Sequence, residues 1–73
     1  MSNPYTEQRN CYAEIDKIIM KLKPQQTIEL NDLLIQVLTK YAVSEANVLK
    51  FIYKYENSLV IKINDEIITR CEV

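Results

Sequence analysis

Apolar residues recur three and four positions apart from Tyr5 through Cys11, Tyr12, Ile15, Ile18 and Ile19 to Leu22, with Glu7, Arg9, Glu14, Asp16, Lys17 and Lys21 between them. That spacing draws one stripe along a 3.6-residue period and predicts an amphipathic helix of roughly 18 residues. Ser2 or Asn3 offers an N-cap, and Pro4 suits the first helical position, where an amide hydrogen would lack a partner anyway. Pro24 disfavours helical backbone at Lys23, so the helix ends before it. Lys21 and Lys23 then lie at its negative end. Met20 falls off the stripe, free to be exposed or to serve a subunit contact.

Pro24-Gln25-Gln26 reads as a linker, and the alternation in Thr27-Ile28-Glu29-Leu30 suits a very short strand. Asn31 is the expected cap of a second helix, with Asp32 in its first turn and Leu30 and Ile35 placed to form a hydrophobic staple. Leu33, Leu34, Val37, Leu38 and Tyr41 would form its inner face. The helix is expected to stop near Tyr41, leaving Ala42-Val43 as a turn in which Val43 plugs the gap before the next helix.

Ser44 is a good cap for that third helix, since its hydroxyl can accept from an amide two or three residues on. Glu45 in the first turn complements the positive helix end. Val48, Ile52 and Tyr55, with Phe51, fall on one side. Burial of the first three would contribute very roughly 5 kcal/mol before chain entropy is set against it. Asn47, Lys50 and Lys54 fall on the far side, with Ala46 and Tyr53 beside them, while Glu45, Leu49 and Glu56 make a third flank. The lysine side suits either plain solvation or a docking surface, in which Asn47 reads a base edge and the lysines hold phosphates.

Asn57-Ser58 breaks the helical period. Leu59-Val60-Ile61-Lys62-Ile63 and Glu66-Ile67-Ile68-Thr69-Arg70-Cys71 are β-branched runs around Asn64-Asp65, a hairpin signal. A three-residue loop Asn64-Asp65-Glu66 is preferred on burial grounds. It would put Leu59, Ile61, Ile63, Ile67 and Cys71 on one face and leave Lys62 and Arg70 outside. A two-residue loop pairing Ile63 with Glu66 would mix the faces.

Composition narrows what such a chain does. Its 73 residues are expected to form one domain, spanning 1–73, and 48% apolar with 26% charged residues is a globular balance. Ten isoleucines supply much of the core. There is no glycine, so every turn is expected to use Asn, Asp, Ser or Pro and no Gly-rich phosphate loop exists. A formal charge of −1 argues against a sequence-blind nucleic-acid coat, though not against a local basic stripe. No apolar run is long enough for a membrane helix, and Met1-Ser2-Asn3-Pro4 has no signal-peptide pattern, so a soluble, cytoplasmic protein is expected. Cys11 and Cys71 stand at opposite ends of a chain without histidine, which excludes a zinc site made by these thiols alone and leaves them as reduced thiols, or as a bridge in an oxidising compartment or a hyperthermophile cytosol. Neither acid–base catalysis nor a cofactor or metal site finds support: Ser44 and Ser58 lack a partnering base, and the pairs Glu14/Asp16 and Asp65/Glu66 suit a helix surface and a turn. The chain is expected not to be an enzyme.

The order of helix, short strand, helix, turn, helix and hairpin resembles the winged helix-turn-helix superfamily. The resemblance rests on Leu30-Asn31-Asp32-Leu33-Leu34, on Val43-Ser44 opening the third helix, on Val48, Ile52 and Tyr55, and on Leu59-Val60 before the wing. It implies an α+β fold of three helices plus a C-terminal two-stranded wing. It also implies double-stranded DNA as partner, with Ser44, Asn47, Lys50 and Lys54 in a major groove and Lys62 and Arg70 on phosphates. A homodimeric transcriptional regulator follows, with Tyr5, Tyr12 and Met20 of the first helix at the dimer contact. The alternative is a protein-binding accessory subunit of a replication or transcription complex. Two departures stand out: Ser58 where many members have glycine, and a wing tip, Asn64-Asp65-Glu66, that is acidic where many DNA-binding members are basic.

Overall fold

The computed structural model describes residues 4–71, so the Ser2 and Asn3 caps lie outside the described residues. The apolar stripe of the first segment winds as α1 (Pro4–Lys21), and β1 (Thr27–Glu29) runs directly into α2 (Leu30–Leu38). A turn leads to α3 (Glu45–Asn57), then β2 (Ile61–Asn64) and β3 (Ile67–Arg70). The fold is α+β: three helices against a three-stranded antiparallel sheet of order β1-β3-β2.

One core joins all these elements. Cys11, Ile15 and Ile19 of α1, Leu33 and Val37 of α2, Val48 and Ile52 of α3, and Ile61 and Ile68 of the sheet are buried almost completely. Tyr5, placed on the α1 stripe by its spacing, instead lies 80% exposed, beyond the edge of the core. Both cysteines are free; burial, with Glu14 and then Glu7 nearby, pushes the Cys11 thiol up from its ordinary value.

The start of α2 differs from expectation. Glu29, not Asn31, holds the cap position, and its side chain makes no capping bond. The reason is tertiary: β1 leads straight into the helix, and the Leu30 amide, which has no acceptor within the helix, donates to the carbonyl of Glu66 at 2.8 Å. Ile35 is 54% exposed, which rules out the staple with Leu30. The helix stops at Leu38, short of Tyr41, where Thr39 Oγ1 donates back to the Ile35 carbonyl at 2.7 Å.

Tyr41 instead ties the following turn to α1. Its hydroxyl donates to Glu14 Oε1 at 3.0 Å, and Lys40 Nζ approaches the same oxygen at 2.6 Å. The Lys40 hydrogen bond, then that of Tyr41, hold the Glu14 carboxyl below its usual range against partial desolvation. Val43 is half-buried and packs on the core, as its place in the turn predicts.

Ser44 caps α3 as expected, its Oγ accepting from the Asn47 amide at 3.3 Å. Val48 and Ile52 are fully buried, while Phe51 and Tyr55 pack at the margin. There α3 meets α1 through aromatic rings: Tyr12 stacks on Phe51 at 4.1 Å between centroids, and Phe51 meets Tyr55 edge-on at 5.3 Å. Such pairs add about 0.5–1.5 kcal/mol each beyond their buried area. The Tyr55 hydroxyl donates to Asp16, and burial together with that bond raises its pKa well above the ordinary tyrosine value.

The end of α3 shows how the chain turns without glycine. The Leu59 amide donates to the Glu56 carbonyl and the Val60 amide to the Tyr55 carbonyl, both at 3.0 Å. This is a Schellman motif, whose left-handed position usually holds glycine. Here it holds Leu59, with φ of 63° and a side chain 76% exposed. Leu59 therefore leaves the inner hairpin face to which its alternation assigned it.

The hairpin register matches neither loop considered from the sequence. Asn64 pairs with Ile67, Ile63 with Ile68, Lys62 with Thr69 and Ile61 with Arg70. The loop is Asp65-Glu66, with φ of 50° and 64°, the signs a type I′ turn requires. Paired residues share a face, so Ile61, Ile63 and Ile68 all point inward and Ile67 moves to the outer face. The three-residue loop would have turned Ile68 outward, and the two-residue loop would have brought Glu66 onto the inner face opposite Ile63. On the other side of β3, Ile28 pairs with Ile68, flanked by Thr27 with Thr69 and Glu29 with Ile67.

Two stability predictions follow from these contacts. Replacing Leu59 by glycine should stabilise the fold by about 1 kcal/mol, since it removes the left-handed penalty and sacrifices little packing. Urea unfolding of L59G measures this, and a loss of stability would contradict the assignment. Glu14 has its folded pKa below its unfolded one, so its contribution is present above the ordinary carboxylate range, about 4.3, and disappears as pH falls through the folded value. Glu14→Gln should therefore flatten the acid limb of stability against pH, measured by urea midpoints across a pH series.

Candidate nucleic-acid interface

The α3 helix divides its free surface into flanks of different chemistry. Asn47, Lys50 and Lys54 are spaced three and four apart and are all exposed, as are Ala46 and Tyr53. Neither lysine has an ion-pair partner among the described residues, where the ion pair is Lys40–Glu14. The lysine-bearing side therefore faces solvent rather than the core, and its charges are available to a ligand.

The other predicted contacts do not gather around that side. Ser44 is exposed, but its Oγ is occupied in capping the helix. Asn47 sits at the α1 edge of the helix, its carbonyl accepting from the Tyr12 hydroxyl at 3.3 Å. With Ser44, Ala42, Val43, Tyr5 and Gln8 it lines a small polar hollow of about 300 Å³. Lys62 is exposed on the outer face of the sheet, opposite the buried Ile61 and half-buried Ile63. Arg70 corrects the expectation that it lies outside with Lys62. Paired with Ile61, it belongs to the inner-face register, and its guanidinium lies 3.8 Å from Met20 Sδ on α1. The reason is the register: the Asp65-Glu66 loop shifts the strand relative to the one that would have turned Arg70 outward.

Of the α1 residues placed at a dimer contact, Tyr12 is packed on Phe51 within the chain. Tyr5 and Met20 remain exposed, at 80% and 53%.

The opposite flank of α3 holds a feature that local residue spacing does not reveal. Leu30 and Leu34 of α2, Leu49 of α3 and Ile63 of β2 floor a groove of about 320 Å³. The exposed Asn31, Glu45, Tyr53 and Glu66 rim it. Its sequence signal was the flank Glu45–Leu49–Glu56, but the α2 and hairpin contributions depend on tertiary placement. Glu56 does not line the groove; its Oε2 accepts from the Ile63 amide at 3.0 Å and covers part of the outer edge of β2. Glu45 and Glu66 have no ion-pair partner among the described residues.

Among the described residues no group of three or more His, Cys, Asp or Glu side chains is placed to hold a metal ion, and no helix is long and apolar enough to cross a membrane. Compared with family models, curated proteins and solved structures, the chain matches none.

Proposed function

We propose that this chain binds double-stranded DNA through the outward side of α3, as a winged helix-turn-helix transcriptional regulator. The single observation that carries the reading is the solvent-facing row of Asn47, Lys50 and Lys54, with amines unpaired inside the molecule. The connection of α2 to α3 by a short turn, followed by a hairpin whose second strand returns against β1, supports it. In this arrangement Lys50 and Lys54 hold phosphates, Asn47 offers its amide to a base edge, and Lys62 supplies a contact from the sheet. Arg70, turned toward Met20, is left out.

So few cations imply weak non-specific affinity for one copy, on the order of 10⁻⁴ to 10⁻⁶ M at physiological salt. Useful occupancy then needs a homodimer spanning half-sites about one helical turn apart, with the exposed Tyr5 and Met20 of α1 as the remaining candidates for the contact.

A second reading, a protein-binding accessory subunit, is favoured by one observation. Leu49 and Tyr53 open onto an apolar groove rimmed by carboxylates that would repel phosphate.

For the DNA reading, the test is affinity for duplex DNA across a salt series. The parent should bind at low salt, and Lys50→Ala with Lys54→Ala should weaken binding and make the slope of log K against log salt shallower by about 2. Arg70→Ala should leave both almost unchanged. A parent that fails to bind at low salt, or a double variant that binds like the parent, overturns the proposal.

A further inference from the structure

The geometry points to the groove between α2, α3 and the hairpin as a docking site for a basic, amphipathic helical segment of a partner protein. This rests on the protein-binding reading and not on DNA binding. Leu30 and Leu34 are almost buried and Leu49 and Ile63 half-buried, so the floor is apolar yet accessible from one side. At about 320 Å³ it has the capacity for a few apolar side chains and sits at the lower bound of small-molecule pockets, about 300–1,000 Å³.

Charge decides what sits on that floor. Every charged group lining the groove is a carboxylate: Glu45 on the first turn of α3 and Glu66 at the hairpin loop. Asp32 and Asp65 continue the same sign in the adjoining segments. No lysine or arginine lines it, and Lys50 and Lys54 project from the other flank of α3. An incoming phosphate backbone or acidic peptide meets like charge, whereas lysines or arginines flanking an apolar face meet unpaired carboxylates.

The backbone decides the form of the occupant. The Ile63 amide, on the edge strand at the groove, is already bonded to Glu56 Oε2. An extended segment adding to β2 would find that donor taken. A helix needs no backbone partner and projects side chains at three- and four-residue spacing onto the floor.

The test uses the full chain and designed peptides of about 18 residues, enough for five helical turns. One carries leucine on one face and lysine on the other; its counterpart carries glutamate instead of lysine. Binding is followed by titration calorimetry and by NMR shifts of the leucine and isoleucine methyls. The lysine peptide should bind with a Kd on the order of 10 μM and move the Leu34, Leu49 and Ile63 methyls, and the glutamate peptide should bind at least about ten-fold more weakly. Glu45→Lys with Glu66→Lys should reverse that preference. Glu45→Gln with Glu66→Gln, a milder pair, should erase it if the reversal disturbs folding. Leu49→Gln, which keeps the acidic rim, should cost at least about ten-fold, separating groove binding from general charge attraction. Lys50→Ala with Lys54→Ala should not weaken the peptide.

Equal binding of both peptides in the groove, or preference for the glutamate peptide, overturns the charge assignment while protein docking stands. Absence of groove shifts with either peptide overturns both. Concentration-dependent shifts of the same methyls without peptide identify a second copy as the occupant, and shifts there on adding duplex DNA identify DNA. Either result overturns the proposal.

Discussion

The fold depends on β3 lying in the middle of the sheet. Ile68 pairs with Ile28 on one side and Ile63 on the other and is completely buried, so one residue joins the strand before α2 to the strand after α3. Backbone bonds reinforce the seam at both ends: Leu30 donates to Glu66, Gln25 to Arg70, and Arg70 in turn to Gln26. Because β1 runs straight into α2, this seam fixes the start of α2 relative to the hairpin. The groove exists because those two elements are clamped together beside α3.

The α3 helix is held from behind by different chemistry. Val48 and Ile52 anchor its centre, and the rings of Phe51 and Tyr55 lean on Tyr12 and the carboxylate of Asp16 from α1. Those contacts fix the helix's rotation about its own axis. With that rotation fixed, the lysines and the carboxylate-rimmed groove occupy separate flanks, and Tyr53, 43% exposed, stands between them. The helix thus offers surfaces of opposite preference at little distance from each other, which is a physical basis for selecting between partners.

Much of this was legible in the apolar spacing. The α1 stripe, the inner face of α3, the Ser44 cap and the short strand at Thr27–Glu29 are local patterns, and each appears in the fold. What could not be read locally was decided by long-range backbone pairing. Asn31 looks like a cap, but the pairing of β1 with β3 and the bond from the Leu30 amide to Glu66 start the helix earlier, at Leu30. The hairpin register escaped because Asp65 and Glu66 both adopt left-handed backbone, which Glu66 in particular does not advertise. That register in turn misplaced Arg70 and Ile67. Leu59 reads as a strand residue because its apolar side chain hides its place at the left-handed position of a helix cap. For the candidate site, Lys50 and Lys54 were visible as a helical row, while the groove needed residues from separate elements to be brought together.

The central position of β3 also orders events during synthesis. A chain leaves the ribosome from its N-terminus, so β1 and β2 both emerge before the strand that each must pair with. Until β3 arrives, neither can complete its ladder, and the isoleucines of the nascent sheet remain open to solvent. Helices α1, α2 and α3 can associate in that interval through their own apolar faces, but closure waits on contacts that span most of the chain. The late segment is therefore a latch, and a stalled or clipped product lacking it would present unsatisfied strand edges to chaperones and proteases.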